Sequence, residues 1–279
     1  MVDNAAGPPR AARLDPGAGP AVVALLGAAV GLLGGLLGLG GAEFRLPILV
    51  AFLGYGLRQA IPLNLAISLI TSSAALATRL PREGLALGPV EAGVVTAMLA
   101  GAMTGAHLAA GWLSRISARA LNWSVGLLLG GVGTLLLVEG LFDLPGHAPL
   151  LDVPAAWVAA LAAGLVIGAF ASFLGVAGGE LIIPTLTLAF GFDLKLAGTA
   201  SLVIGVPSMA VGLRRHARTG AFSDARAVRA LVAPMGLGSV LGAAAGGALV
   251  RWVSTRALKM LLGVVLLASL PKVVRGKEV

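Results

Sequence analysis

The chain has 279 residues, 58% of them hydrophobic and 11% charged, with a mean hydropathy of +0.97. A soluble domain is nearer a quarter charged; so few charges cannot cover a soluble globule, and the chain falls in the membrane class. The formal net charge of +8 does not indicate nucleic acid, because the basic residues fill short gaps between apolar runs, where Lys and Arg mark the cytoplasmic side.

Residues 1–20 are polar and rich in Pro and Gly, and read as a disordered cytoplasmic tail. Arg10 and Arg13 imitate a signal peptide, but the apolar run from Ala21 outlasts a signal's apolar core, which indicates an uncleaved first transmembrane helix. Apolar runs at 21–38, 44–55, 60–79, 88–113 and 119–139 make a first membrane repeat, residues 21–140. After a linker at 141–153, runs at 154–175, 181–191, 195–213, 230–250 and 254–271 make a second, residues 154–272, followed by a tail at 273–279. A crossing helix needs roughly 20 residues. The runs 44–55 and 181–191 are short, so 21–55 and 154–191 are each two tight crossings or one crossing plus a half-membrane element. No stretch alternates apolar and polar over strand lengths, which argues against a β-barrel. The fold class is an all-α polytopic membrane protein with eight to ten segments, its helices broken or short at two glycine-rich elements.

Those elements are GLGGAEFRLP at 38–47 and GVAGGELIIP at 175–184, and they stand 137 residues apart. At the same offset Gly101 and Gly105 fall on Gly238 and Gly242, SARALNW at 117–123 on STRALKM at 254–260, and Gly126 on Gly263. An ungapped match of this length indicates internal duplication. Paired repeats with Gly/Pro-interrupted segments at matching positions point to a transporter and its binding site.

Orientation follows from charge. Arg214, Arg215, Arg218, Arg226 and Arg229 put that loop inside, with the C-terminal tail carrying Lys272, Arg275 and Lys277. The linker with Glu139, Asp143 and Asp152 has no Lys or Arg and fits outside. An odd number of crossings per half satisfies all three placements and makes the repeats inverted. Arg79 and Arg82 then fall outside and weigh against it; a parallel arrangement of eight crossings brings them inside, together with the acidic linker. The inverted arrangement is favoured.

Gly38, Gly40 and Gly41, and Gly175, Gly178 and Gly179, weaken a helix by about 1 kcal/mol each relative to Ala. Unwound backbone at membrane depth survives only where it is buried in protein or lines a wet cavity. Each break also creates a helix N-terminus whose N–H groups and dipole favour an anion. The bland alternative is that these glycines only permit close helix packing. Glu43 and Glu180 are carboxylates in membrane territory, where they are expensive and face a partner or a cavity; each is a coupling residue that gains and loses a proton, or a cap of its half-helix. Arg45 has no counterpart, since Ile182 takes its place; it pairs with Glu43 or Glu180, contacts an anion, or snorkels to the headgroups. Asn64, Ser68, Thr71 and Ser72 in the first half, and Thr199, Ser201 and Ser208 in the second, are neutral oxyanion ligands or bond to their own helix carbonyls. Trp112, Trp157 and Trp252 lie near run ends, as interface anchors do. His107 reads as a packed core residue and His216 as solvated among the loop arginines. With no cysteine and no metal spacing among the histidines, no metal or other cofactor is expected.

The duplicated glycine-glutamate-proline elements, with GTASL at 198–202 and the basic loop RRHARTGAFSD at 214–224, resemble the sulfite exporter TauE/SafE family over nearly the whole chain. The resemblance implies a multi-pass permease of the bacterial inner membrane for small sulfur oxyanions or organosulfonates. It implicates Gly38, Gly40, Gly41, Pro47, Gly175, Gly178, Gly179, Pro184, Thr199 and Ser201. Ala42 and Ala177 depart from it, as does PLNLAISL at 62–69, which leaves the substrate open.

The expectation is a secondary transporter driven by an ion gradient, with the lipid bilayer as its environment and room for a homo-oligomer. No GxxxxGK[ST] motif supports ATP-driven pumping, and no nucleophile–base set supports an enzyme. The alternatives are a permease for another small anion such as a carboxylate, and a membrane scaffold whose glycines serve packing alone.

Overall fold

The computed structural model describes residues 19–49, 53, 55, 57–112, 130–131, 133–142, 152–174, 176–218 and 225–274; among these, the side chains of 43, 47, 57–59, 83, 109–112, 173–174, 225–228, 230 and 269–274 stand outside the description. The N-terminal tail, Gly126, Asp143, Gly175, Arg275 and Lys277 therefore lie outside the described residues. In chain order the helices are α1 (Pro20–Leu37), α2 (Ala42–Pro47), α3 (Leu57–Glu83), α4 (Pro89–Trp112), α5 (Gly133–Phe142), α6 (Val153–Leu174), α7 (Gly179–Phe190), α8 (Leu194–Arg218), α9 (Ala225–Leu249) and α10 (Thr255–Val274), with a 3₁₀ turn at Val250–Trp252. There is no strand among the described residues.

Five of these helices contain spans long and apolar enough to cross a membrane: Pro20–Leu37, Ala60–Arg82, Val153–Ser172, Leu194–Arg218 and Leu231–Trp252. Large apolar side chains face outward, and a group of polar side chains is buried within an otherwise apolar core. Leu25, Val158, Leu237 and Leu241 are mostly exposed, while Arg45, Asn64, Ser68, Thr71 and Ser239 are fully buried. Lipid is the solvent that tolerates such a surface, and backbone groups are satisfied within each helix, as hydrocarbon requires.

Packing rests on small residues. A Cβ built on Gly27, Gly31 or Gly35 of α1 would fall on the carbonyl oxygen of Met235, Ser239 or Ala243 of α9. Likewise Gly164 and Gly168 of α6 sit on the carbonyls of Met98 and Ala102 of α4. The reciprocal contacts pair Gly238 and Gly242 with Ala24 and Ala28, and Gly101 and Gly105 with Leu161 and Leu165. Each α1–α9 contact becomes an α6–α4 contact when both residues move by 137 positions. That exchange of halves is the signature of a two-fold relation. In lipid no hydrophobic force drives helices together, so close backbone approach supplies the association through van der Waals contact.

The same contacts give helix directions. Numbers rise together along α1 and α9, so these run parallel. Ile70 lies against Gly236 and Thr78 against Gly247, so α3 runs parallel to α9. Leu65 meets Gly212 while Arg79 meets Gly198, so α8 is antiparallel to α3. Helix α4 starts a short loop after α3, beside the start of α8, and ends near its far end, where Arg215 Nη1 donates to the His107 carbonyl at 2.6 Å; it runs with α8, and α6 runs with α4. Repeat mates α1/α6, α3/α8 and α4/α9 therefore point in opposite directions, and the repeats are inverted about an axis across the helices. The chain between α1 and α3 must return, which places α2 on a return leg. Helix α7, with 12 residues, is about 18 Å long, well short of the roughly 30 Å hydrocarbon core. For the run 181–191 the half-membrane reading is the one observed; the run 44–55 lies partly outside the described residues.

Several charge readings change. Arg79 is no loop charge: α3 continues to Glu83 and buries it, 1% exposed, which removes it as an objection to inversion. Glu139 is not a linker acid but part of α5, in an ion pair with Lys259 of α10 at 2.9 Å. His107 is exposed rather than packed, because the inward face of α4 there is made by Gly105 and Ala106. His216 is part-buried in α8 rather than solvated, because that helix runs beyond its apolar run to Arg218. Trp157 and Trp252 are exposed, as anchors are, with the Arg251 guanidinium 4.8 Å from the Trp252 ring centroid.

Candidate functional site at the paired helix breaks

Helix α1 ends where Gly38 turns left-handed, φ +83. Its N–H and that of Leu39 both donate to Gly34 O, at 2.8 and 3.0 Å, closing the helix in a Schellman motif. Val176 N donates to Ala171 O at 3.0 Å, the same bond one repeat later. Gly41 (φ +74) and Gly178 (φ +73) then open α2 and α7 as left-handed N-caps. A residue with a Cβ is strained in this conformation, so three glycines in ten positions are a requirement of the turn and not only of packing.

The two breaks meet. A Cβ on Gly40 would come within 3.1 Å of the Ala177 methyl. These residues are repeat mates, so the two-fold axis passes between them. Gly179 packs on Leu39 and the Gly38 carbonyl, and Ala42 clusters with Val176 and Ala171. These two contacts are again related by the repeat offset.

Arg45, in the last turn of α2, is 0% exposed. Its Nη1 donates to Ser68 Oγ at 2.8 Å and Asn64 Oδ1 at 3.5 Å. Its Nη2 donates to Thr71 Oγ1 at 3.1 Å, Ser239 Oγ at 3.4 Å and Gly40 O at 3.4 Å. Thr71 and Ser239 give their own protons to Ile67 O and Gly27 O, which leaves lone pairs for the guanidinium. Asn64 Nδ2 donates to Ala42 O at 3.1 Å and ties α3 to the break. Ser72 Oγ is buried without a hydrogen-bond partner and faces the Gly40 α-carbon. Snorkelling is excluded for this arginine.

On the other flank, Ser201 Oγ is 2.6 Å from Gly38 O and 2.9 Å from Gly198 O. Arg79 joins here: its Nη2 donates to Lys195 O at 3.0 Å and its Nη1 to Gly35 O at 3.5 Å. Glu180 is buried in the first turn of α7, next to Gly179. The Glu43 side chain and Gly175 lie outside the described residues. Thr199 and Ser208 send their hydroxyl protons to Lys195 O and Ile204 O of their own helix, the local bonding that membrane helices use.

The structure thus gathers Gly40, Arg45, Asn64 and Ser68 into one cluster and Gly38, Gly179 and Ser201 beside it. The sequence reading overlooked Arg79 and Ser239. Arg79 had a signal, since it aligns with a second basic residue, His216; Ser239 was hidden in the small-residue stripe of α9. A cavity of about 110 Å³ lies elsewhere, lined by Glu139, Lys259, Asp193, Thr187 and Thr255, and does not touch either break.

A family model described as Sulfite exporter TauE/SafE matches residues 6–136 and 159–278, one stretch per repeat. No curated protein and no solved structure matches the chain. With two inverted repeats, apolar spanning helices and a match over most of its length, the chain belongs to the sulfite exporter TauE/SafE family of membrane transporters.

Proposed function

We propose that the chain carries a small sulfur oxyanion such as sulfite, or an organosulfonate, across the membrane, and that the anion is held between the two breaks. The observation that supports this most is Arg45, a buried guanidinium beside the two-fold axis with hydroxyl, amide and carbonyl acceptors around it. A guanidinium presents a fork of donors that matches an oxyanion. Its bonds to Ser68, Thr71 and Ser239 are exchangeable: each hydroxyl can turn its proton toward an anion oxygen that takes its place on the arginine. Ser72 Oγ supplies one more donor at the same depth. Inverted halves have two equivalent packings that open to opposite sides, the basis of alternating access in such folds. Coupling to an ion gradient is assigned to Glu43 and Glu180, on the ground that a carboxylate at membrane depth is costly unless it works.

A carboxylate substrate is the second reading, because the same fork accepts carboxylates. Thermal shifts of purified protein with sulfite, sulfate, taurine, sulfoacetate and carboxylates separate the two. Stabilisation by a sulfur anion in the parent, absent in Arg45→Met, is expected; stabilisation by carboxylates alone transfers the assignment, and none by any anion removes it. For coupling, Glu180→Gln should change the pH dependence of flux in proteoliposomes. Flux unchanged in both Glu43→Gln and Glu180→Gln ends the coupling assignment.

A further inference from the structure

The cavity of about 110 Å³ away from the breaks lies between α5, the turn from α7 to α8, and the first turns of α10. It is at the end of the bundle where α8 starts, opposite the arginine-rich loop. Leu136, Leu188 and Phe192 make an apolar side, and Glu139, Lys259, Asp193 and Thr187 a charged and polar one. Glu139 is 4% exposed and takes Lys259 Nζ on Oε2 at 2.9 Å. Asp193 is exposed, so the polar side runs from the interior to the surface. At the repeat offset the four polar positions hold Gly276, Asn122, Gly56 and Val50. The duplicated frame therefore does not require these side chains.

Acceptors outnumber donors on the polar side. Two carboxylates and one ammonium line the cavity, which leaves room for one more positive charge. Thr187 Oγ gives its proton to its own helix, 3.1 Å from both Ile183 O and Pro184 O, and keeps lone pairs for another donor. The Gly191 and Phe192 N–H groups both close α7 on Leu186 O. The carbonyls of the last turn of α7 accept nothing within the helix, and that end of its dipole favours a cation. The helix N-termini that reach the cavity are already capped. Asp193 Oδ1 accepts from Lys195 N at 2.9 Å and Leu196 N at 3.4 Å, and Ser254 Oγ from Ala257 N at 3.2 Å.

We propose that this cavity binds a small primary ammonium ion, its N–H donors on the carboxylates and Thr187 and its alkyl chain on the apolar side. A primary ammonium has three donors and no acceptor, the complement of this wall. A bare hard metal ion asks for oxygens all round and would leave the apolar side unused. A water's share of liquid is about 30 Å³, so the cavity suits an ammonium on a short chain and not a bulky one. Trp252, 74% exposed, stands just before Thr255 on the cavity wall, and an exposed indole at a helix end marks headgroup depth. Two sources of ammonium reach that depth, a dissolved amine and the ethanolamine headgroup of a lipid. The site touches neither break, so it does not depend on which anion is carried.

Melting of the purified chain in detergent is measured in ethylammonium, tetramethylammonium and sodium chlorides at one ionic strength. A saturable rise in melting temperature in ethylammonium alone is expected. Tetramethylammonium has the charge without N–H donors, and sodium has neither donors nor an alkyl chain. Asp193→Asn keeps the α8 cap and should raise the half-saturating concentration about tenfold, the scale of one hydrogen bond to a charged group. Lys259→Met removes the resident ammonium and should lower it about tenfold, by the same scale. Asp193→Asn decides alone if Lys259→Met does not fold. No rise in ethylammonium, equal rises in the three salts, or a half-saturating concentration unchanged in either folded variant overturns the proposal. The same titration in nanodiscs with and without phosphatidylethanolamine separates the sources. A higher half-saturating concentration with the lipid present assigns the site to the headgroup, and an unchanged one to a dissolved amine.

Discussion

The two glycine breaks share one backbone and differ in what fills it. In the first, Arg45 is ringed by Asn64, Ser68, Thr71 and Ser239. In the second, Ile182 takes the arginine's place, 2% exposed, and the repeat mates of those four residues are Ser201, Gly205, Ser208 and Ala102. The second half lacks the charge and two of the four polar side chains around it. A buried arginine is tolerated only where its donors are met, so the set behaves as a unit. The duplicated backbone provides a symmetric frame, and one half alone furnishes the charge.

Breaking that comparison should cost most where the charge is put in the wrong half. Ile182→Arg buries a guanidinium among fewer acceptors, and a loss of several kcal/mol is expected, seen as little or no folded protein by fluorescence-detected size exclusion. Next come the helix contacts that the halves share. Gly31→Val and Gly168→Val each drive a side chain into a facing backbone carbonyl, and each should cost about 3 kcal/mol, at the upper end for overpacking. Because the sites are two-fold mates, their melting temperatures should fall alike; a large fall in only one would break the equivalence of the two interfaces.

Arg45→Met should be milder for stability, about 2 kcal/mol, as bonds to a charged donor are lost but no charge is stranded, while anion flux in proteoliposomes drops to background. Retained flux would move the anion site away from Arg45. The smallest effect sharpens the axis itself. Gly40→Ala, at φ +79 and against Ser72 Oγ, should cost about 1–2 kcal/mol. Ala177→Gly, its mate, removes a buried methyl packed with Leu65 and Met209 and should cost about 1 kcal/mol.

Much of this was legible in the chain. Composition alone demanded lipid, because 11% charge cannot solvate a globule of this size. The 137-residue offset, the position of both breaks, the half-membrane option for 44–55 and 181–191, and the family likeness all followed from local patterns: apolar run length, glycine clusters, and repetition. These survive in sequence because each is set by neighbours in the chain. Arg45, Asn64 and Ser68 were candidates for the same reason, as polar groups where the local rule asks for apolar ones.

What packing decided lay beyond that reach. Whether the halves are inverted or parallel turned on loop charges that pointed both ways, and it was settled by which glycine meets which carbonyl across more than 200 residues of chain, as Gly31 meets Ser239. A stripe of small residues says that a helix is approached closely but not by what, since any smooth helix face would satisfy it. Arg79 looked like a loop charge until α8 supplied the Lys195 carbonyl, and His216 looked solvated until α6 supplied that of Ser172. A polar side chain in lipid takes its role from the partner that satisfies it, and that partner is chosen by the tertiary fold.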